Sequence, residues 1–368
     1  IIISAPASGA GKTTVTLGLI NAFARRGSVQ PFKSGPDYID SKFQSVAADR
    51  PSYNLDTWAM SSSDILNMIG MVGPSDICIA EGSMGLFDGV ISKGAGGNGS
   101  TADLASITNW PVILVVDCAK QAQSVAALVT GFNSFRHDIT IGGVILNNIS
   151  SKRHEALVVS EVSKTKVPIL GVIPRSNELT IPERHLGLVQ AEDLSDLEQL
   201  IFKLGTLIEE NCDLEAIACT ARNSFPPIST LQKITPPAQR IAIARDNAFT
   251  FTYSHLIEGW KKQGAEISFF SQLNDEPPSN SDDMVWLPGG YPELYLGRLS
   301  ECKNFKNGLI DFSKKGPVHG ECGGYMVLGR KIIGKGGQAY DMIGMFDLVT
   351  SFETVSYTHL RAHETSVN

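Results

Sequence analysis

Pro6-Ala7-Ser8-Gly9-Ala10-Gly11-Lys12-Thr13-Thr14 lies between a short β-branched run, Ile1-Ile2-Ile3-Ser4, and a long stretch of helical periodicity. A strand, a glycine-rich turn and a helix start in that order make a phosphate-binding loop. Its backbone N–H groups cradle phosphate oxygens, Lys12 reaches the terminal phosphates and the Thr13 hydroxyl can ligate Mg²⁺. Pro6 stands where the strict pattern has its first glycine, while the Gly-Lys-Thr core is intact. Outward from this loop, β-branched runs at residues 29–33, 77–80, 112–116, 144–147 and 170–173 alternate with helical stretches such as 13–26 and 123–132. That alternation predicts βα repeats around a parallel sheet.

Open sheets of this kind bind ligands beyond the carboxyl ends of their strands, and polar clusters fall there. Lys33-Ser34-Gly35-Pro36-Asp37-Tyr38-Ile39-Asp40 follows one strand, and Glu81-Gly82-Ser83-Met84-Gly85-Leu86-Phe87-Asp88-Gly89 another. Phosphoryl chemistry needs Mg²⁺ held by hard oxygens beside the phosphate loop. Glu81, directly after an apolar strand, stands where a Walker-B carboxylate would. Thr13, Asp37 and Glu81 are the expected metal ligands, and Lys33 would add positive charge against a transferred phosphoryl group. Gly94-Ala95-Gly96-Gly97-Asn98-Gly99-Ser100-Thr101 reads either as a flexible loop closing over a substrate or as plain surface, with Ser100 capping the next helix. Asn147-Asn148 suits a purine edge or a turn. Arg184 and His185 suit substrate contact or packing.

The chain has 368 residues, 42% hydrophobic content and a net charge of -7. It is long enough for two domains with separate cores, and its charge argues against non-specific nucleic-acid binding. No apolar run reaches membrane-spanning length. The six cysteines show no paired or metal-ligand spacing, which argues against a disulfide framework or zinc site. Residues 1–4 have no signal-peptide character and no starting Met, as though the first strand were clipped. The expected location is a reducing cytoplasm.

Proline pairs at Pro226-Pro227 and Pro236-Pro237 suit a stiff linker. A second α/β unit then follows, with strands expected at 241–244, 266–270, 284–287 and 317–319. In it Gly320-Glu321-Cys322-Gly323-Gly324 places a cysteine at a sharp strand-to-helix turn, a nucleophile elbow. The small neighbours tolerate a strained backbone, and the N–H groups that follow face a developing oxyanion. Leu287-Pro288-Gly289-Gly290-Tyr291-Pro292-Glu293 supplies further flexible N–H donors opposite Cys322.

Together with Asn54-Leu55-Asp56, Gly143 to Asn148, Pro182 to Leu188 and Ala244-Arg245-Asp246, these segments resemble the cobyrinate a,c-diamide synthase family from residue 1 to about 352. The resemblance implies an α/β fold: a dethiobiotin-synthetase-like P-loop parallel-sheet domain (1–222), a linker (223–239) and a class I glutamine amidotransferase domain (240–354). Cys322 would attack glutamine to give a thioester and ammonia, with Gly323, Gly289 and Gly290 around the oxyanion. ATP with Mg²⁺ would phosphorylate the c and a acetates of cobyrinate or hydrogenobyrinate, in cobalamin biosynthesis. Gly9, Gly11, Lys12, Thr13, Thr14, Lys33 and Asn147 would hold the nucleotide, and Asp37, Asp40, Glu81 and Asp88 would orient ATP, Mg²⁺ and the carboxylate. The expected partners are a tetrapyrrole and glutamine, with no nucleic acid or membrane; a homodimer is left open. Nickel-sirohydrochlorin diamidation and cobyric acid synthesis are the related alternatives, and a nucleotide-switched partitioning ATPase the alternative from another class.

Family members continue into a Gly-His-Glu-Phe-His-like segment whose first histidine is the base for the cysteine. Residues 355–368 match nothing of the fold and read as foreign sequence, so neither His359 nor His363 is expected to serve. Impaired glutamine use, with ammonia still accepted, is the corresponding expectation.

Overall fold

A computed structural model describes residues 1–176, the backbone of 183–184 and 187–188, and residues 196–221 and 234–353. His185, the Arg184 side chain, residues 223–233 of the expected linker, and the 355–368 segment with His359 and His363 lie outside the described residues. The chain divides into two compact units, Ile1–Lys233 with Tyr253–His255, and Ile234–Thr252 with Leu256–Asn368.

The first unit runs Ile2–Ser4 (β1), Lys12–Ala24 (α1), Val29–Ser34 (β2), Tyr38–Ala48 (α2), Tyr53–Leu55 (β3), Ser62–Met71 (α3), Ile77–Glu81 (β4), Thr101–Thr108 (α4), Val112–Asp117 (β5), Val125–Phe135 (α5), Ile141–Ile149 (β6), Lys152–Val162 (α6) and Ile169–Pro174 (β7). Glu183–Arg184 (β8) and Gly187–Leu188 (β9) pair antiparallel, and Leu197–Asn211 (α7) and Leu214–Ala221 (α8) follow. Strands β1 to β7 form one parallel sheet in the order β3-β2-β4-β1-β5-β6-β7. The continuous apolar run of β5, buried from Val112 to Val116, is what a strand covered on both faces requires. Phe32, Leu114, Val116 and Leu146 centre the core, and each fully buried side chain of this size contributes roughly 1.5–3 kcal/mol.

The order puts the phosphate-loop strand β1 beside β4, and β4 beside β2. Register then does the chemistry's positioning. Glu81 pairs with Ile3 on one side and Lys33 on the other, and Lys33 pairs in turn with Asn54. Neighbours in one row of a parallel sheet point to the same face, so three polar residues distant in sequence share one side of the sheet's carboxyl edge.

The second unit has a four-stranded parallel sheet of Arg240–Ala244 (β10), Glu266–Phe270 (β11), Met284–Leu287 (β12) and Val318–Gly320 (β13), ordered β11-β10-β12-β13. Helices Ser254–Lys262 (α9), Leu296–Glu301 (α10), Lys303–Ser313 (α11) and Gly323–Leu328 (α12) accompany it. Lys331–Ile333 (β14), Ala339–Asp341 (β15) and Val349–Ser351 (β16) form a separate small sheet, which the sequence reading did not anticipate. Phe249, Leu287, Phe305, Phe312, Val327 and Leu328 belong to its main core.

Candidate active site

The phosphate loop takes its shape from two left-handed glycines, Gly9 at φ 78° and Gly11 at φ 89°. At Gly11 a side chain would collide with the Asn147 Nδ2, so glycine is demanded there by both angle and space. No side chain caps α1. Its first N–H groups are therefore left for an anion, where the helix dipole favours negative charge. Asn147, at the end of β6, donates from Nδ2 to the Ala10 carbonyl at 3.0 Å. Of the two roles read for it, a purine contact or a turn, the structure supplies a third: it braces the phosphate loop. A cavity of about 130 Å³ opens beside it, lined in part by Gly9, Gly11, Thr14, Asn147 and Asn148.

Behind the loop sits a charged cluster. Glu81 is fully buried. Its Oε1 accepts from the Thr13 hydroxyl at 2.6 Å and lies 3.2 Å from Lys33 Nζ, and its Oε2 accepts from Gln44 Nε2 at 2.7 Å. Lys33, also buried, donates to Asp40. Burial pulls the Lys33 ammonium down, but the attraction of Glu81, Asp40 and Asp37 outweighs it and raises the group, so Lys33 stays charged. Burial raises Glu81 above its ordinary value, the nearby Asp40 charge adds to this, and Lys33 opposes it. Lys12 is lowered by burial, against the pull of Glu81.

Asp37 and Asp88 are placed differently from the rest. Asp37 caps α2, its Oδ1 accepting from the N–H groups of Ile39 at 2.8 Å and Asp40 at 3.2 Å. Desolvation and then the Asp40 charge push its carboxyl up, although the residue as a whole is exposed. Asp88 is exposed and accepts from the Gly85 N–H at 2.8 Å, closing its own turn. Two contributors went unread in the sequence. Gln44 lies on α2 and bridges Ser52 to Glu81. Asn54 donates to the carbonyls of Gly35 and Asp37 at 2.9 and 2.8 Å and so fixes the turn after β2. Asn54 carries no signal beyond its Asn-Leu-Asp segment, and nothing in local spacing marks Gln44.

In the second unit the register of Leu287 with Gly320 sets the turns after β12 and β13 side by side. Cys322 has φ 48° and ψ -119°, a conformation that costs an L-residue about 1–3 kcal/mol and that clusters at functional sites. The residue is exposed. A side chain on Gly289 would lie 3.0 Å from Cys322 Cβ and 3.4 Å from its Sγ, so the Gly289-Gly290 turn abuts the elbow, as expected. Gly323, directly behind the cysteine, opens α12. Other thiols behave differently. Burial pushes Cys118 and Cys212 up to about 12, with Asp117 adding to the effect at Cys118, which leaves them as inert thiols.

A phosphate loop backed by buried carboxylates in one unit, and an elbow cysteine in another, define a nucleotide-dependent ligase joined to a glutamine amidotransferase. Residues 1–189 match the model of the CobQ/CobB/MinD/ParA nucleotide binding domain, and residues 240–366 that of the CobB/CobQ-like glutamine amidotransferase domain. The chain is 47% identical over 354 residues to "Hydrogenobyrinate a,c-diamide synthase" of Rhodobacter capsulatus, covering 96% of this chain and 81% of that one. Proteins of the same name from Brucella anthropi and a Sinorhizobium species are 46% and 48% identical over 357 residues, covering 95% and 96% of this chain and 81% of each relative. The chain belongs to the cobyrinate and hydrogenobyrinate a,c-diamide synthase family. Among the described residues, no helix is long and apolar enough to cross a membrane.

Asn147→Ala removes the brace on Ala10 and leaves a buried carbonyl unpaired. A lost bond of this kind costs about 1–1.5 kcal/mol, so titration calorimetry should show nucleotide binding weakened roughly five- to tenfold. Unchanged affinity would mean the loop keeps its shape without Asn147.

Proposed function

We propose that the chain amidates the a and c acetate carboxylates of hydrogenobyrinate in cobalamin biosynthesis, using ATP and either glutamine or ammonia. The observation that carries this reading is the strained, exposed Cys322 in a chain whose other unit holds a braced phosphate loop. A partitioning ATPase would have no use for that cysteine.

In the nucleotide-binding unit we assign Gly9, Gly11, Lys12, Thr13 and Thr14 to the phosphates of ATP, with Lys33 neutralising charge on the transferred group. Thr13 Oγ1 and Glu81 Oε1 are hard oxygens 2.6 Å apart, a donor set that fits Mg²⁺, which commonly takes one or two protein ligands beside phosphates and water. Asp37 would be a further ligand through the oxygen not used in capping. When bound, Mg²⁺ neutralises phosphate charge. Asp40 holds Lys33 in place, and Asp88 adds negative charge near Lys12. An acetate oxygen of the tetrapyrrole takes the terminal phosphoryl group, ADP leaves, and the product is an acyl phosphate.

In the amidotransferase unit Cys322 Sγ attacks the glutamine side-chain amide. Ammonia departs, a thioester forms, and the N–H of Gly323 and the Gly289-Gly290 turn stabilise the oxyanion. Water then releases glutamate. Ammonia displaces phosphate from the acyl phosphate to give the amide, and the cycle repeats at the second acetate.

Protein supplied with ATP, Mg²⁺ and ammonium should convert hydrogenobyrinate to its a,c-diamide, releasing one phosphate per amide. Failure with hydrogenobyrinate and turnover of cobyrinate, or of nickel-sirohydrochlorin, would move the substrate to that tetrapyrrole.

A further inference from the structure

The loops that follow β3 and β4 carry large apolar side chains into solvent beside the charged cluster. Trp58 is 49% exposed, Met84 61% and Val90 53%, and Ile91 is fully exposed. Side chains of this size forgo hydrophobic stabilisation when left in water, and several of them exposed on two adjoining, hydrogen-bonded loops mark a binding surface.

Hydrogen bonding holds the backbone of these loops in place. The Asp56 carboxylate accepts from the N–H groups of Trp58 at 2.9 Å and Ala59 at 3.3 Å, closing a turn that presents the indole. The carbonyls of Trp58 and Thr57 accept from the N–H groups of Ala95 and Gly96 at 2.8 and 2.9 Å. Val90 N–H donates to the Asn98 carbonyl at 2.9 Å, and Gly94 N–H to that of Gly97 at 2.7 Å. The glycine-rich segment, read in the sequence as either a closing lid or plain surface, is thus stapled to the turn that carries Trp58. Ser100 caps α4 at its far end, as expected.

The surface is continuous with the phosphoryl site. Leu86 N–H donates to the Ala5 carbonyl at 2.8 Å, and Gly85 abuts the Pro6 carbonyl, so residues 84–91 hang from the strand that ends in Glu81 and touch the start of the phosphate loop. Trp58 follows β3, the neighbour of β2, and so flanks the Lys33 and Asp37 turn from the other side. Lys93 stands exposed in the same loop.

A substrate suited to this surface is broad and flat with an apolar face and a fringe of carboxylates. We propose that Trp58, Met84, Val90 and Ile91 form the platform on which the tetrapyrrole macrocycle lies. Lys93 takes one peripheral carboxylate, and another acetate is thereby delivered to the phosphate loop. The inference rests on the reading above for the identity of the ring. Aromatic and aliphatic contact with a macrocycle face supplies area, while the charged fringe sets orientation.

The test compares wild type, Trp58→Ala, Trp58→Phe and Ile91→Ser, all exposed positions where folding is not at risk. Steady-state kinetics with ammonium should show KM for hydrogenobyrinate raised about tenfold or more in Trp58→Ala and in Ile91→Ser, with KM for ATP unchanged and Trp58→Phe largely restored. Hydrogenobyrinate added without nucleotide should quench wild-type tryptophan fluorescence, and Trp58→Ala should lose most of that quench. Unchanged KM and quench in both truncated variants would overturn the platform. So would altered sedimentation with unchanged KM, which would make the patch a contact between copies. Trp58-dependent quenching without amidation would leave the platform standing and overturn the proposed reaction instead.

Discussion

Glu81→Gln is expected to lower diamidation by at least about a hundredfold, and equally with glutamine or with ammonium. The substitution keeps shape and length, so α2 and the phosphate loop stay packed, but it removes the carboxylate that accepts from Thr13 and Gln44 and pairs with Lys33. A neutral amide is a poor ligand for a hard cation. Its N–H group also meets the Gln44 amide or the Thr13 hydroxyl as a second donor. Losing a preorganised electrostatic contact to a reacting group typically costs about 10²–10³ in rate. The loss falls before nitrogen enters, which is why the source of ammonia should not matter. Breaking a buried ion pair can cost about 3–5 kcal/mol of stability; Lys33 retains Asp40 here, and a thermal melt in parallel separates lost chemistry from lost fold. Activity retained with either nitrogen source, in a variant that melts normally, would remove Glu81 from the phosphoryl step.

The parts of this molecule legible in the sequence are those whose physics is local. A glycine-rich turn after a β-branched strand must fold much as it does, because Gly9 and Gly11 take left-handed angles. The four parallel strands of the second unit fall within one residue of their expected ends for the same reason: short apolar runs bounded by turn formers. Helix ends were less well read. The stretch expected at 123–132 forms over Val125–Phe135, and that expected at 13–26 over Lys12–Ala24. The strands β3, β14, β15 and β16 are three residues each, too short for alternation to register.

Illegible too was whatever depends on register across the sheet. Lys33 and Glu81 each stand out in the sequence on their own, but the pairing that makes them neighbours comes from strand order β2-β4-β1, and Gln44 joins them only because α2 packs over that row. Asp37 shows the limit of residue type as evidence. A carboxylate at a strand-to-helix turn suits a cation and a helix cap equally, and here it is demonstrably a cap. Asn147 was read from its own strand outward, whereas its partner is the loop 137 positions earlier.

Cys322→Ala should separate the two reactions. Whatever glutamine hydrolysis and glutamine-supported diamidation the unaltered protein shows are expected to fall to background, since without the thiol no thioester forms. Ammonium-supported diamidation should stay within about twofold, because the phosphate loop and its carboxylates belong to a separate compact unit with its own core. Alanine also relieves no strain: at φ 48° and ψ -119° it is as disfavoured as cysteine, so the elbow keeps its shape and the effect is chemical. Gly323→Ala is the informative companion. Its new methyl would lie 2.7 Å from Pro292 and 3.1 Å from the Gly290 carbonyl, forcing the two turns apart while leaving the thiol in place. If oxyanion stabilisation is built from those turns, that variant loses glutamine-supported turnover nearly as severely as Cys322→Ala, while an electrophilic glutamine analogue still labels Cys322, at a reduced rate. Should Gly323→Ala hydrolyse glutamine normally, the N–H groups assigned to the oxyanion would be wrong even if Cys322 is right. Should Cys322→Ala keep glutamine-supported turnover, the nucleophile itself would have to be sought elsewhere, and Cys118 and Cys212, held protonated by desolvation, could not replace it.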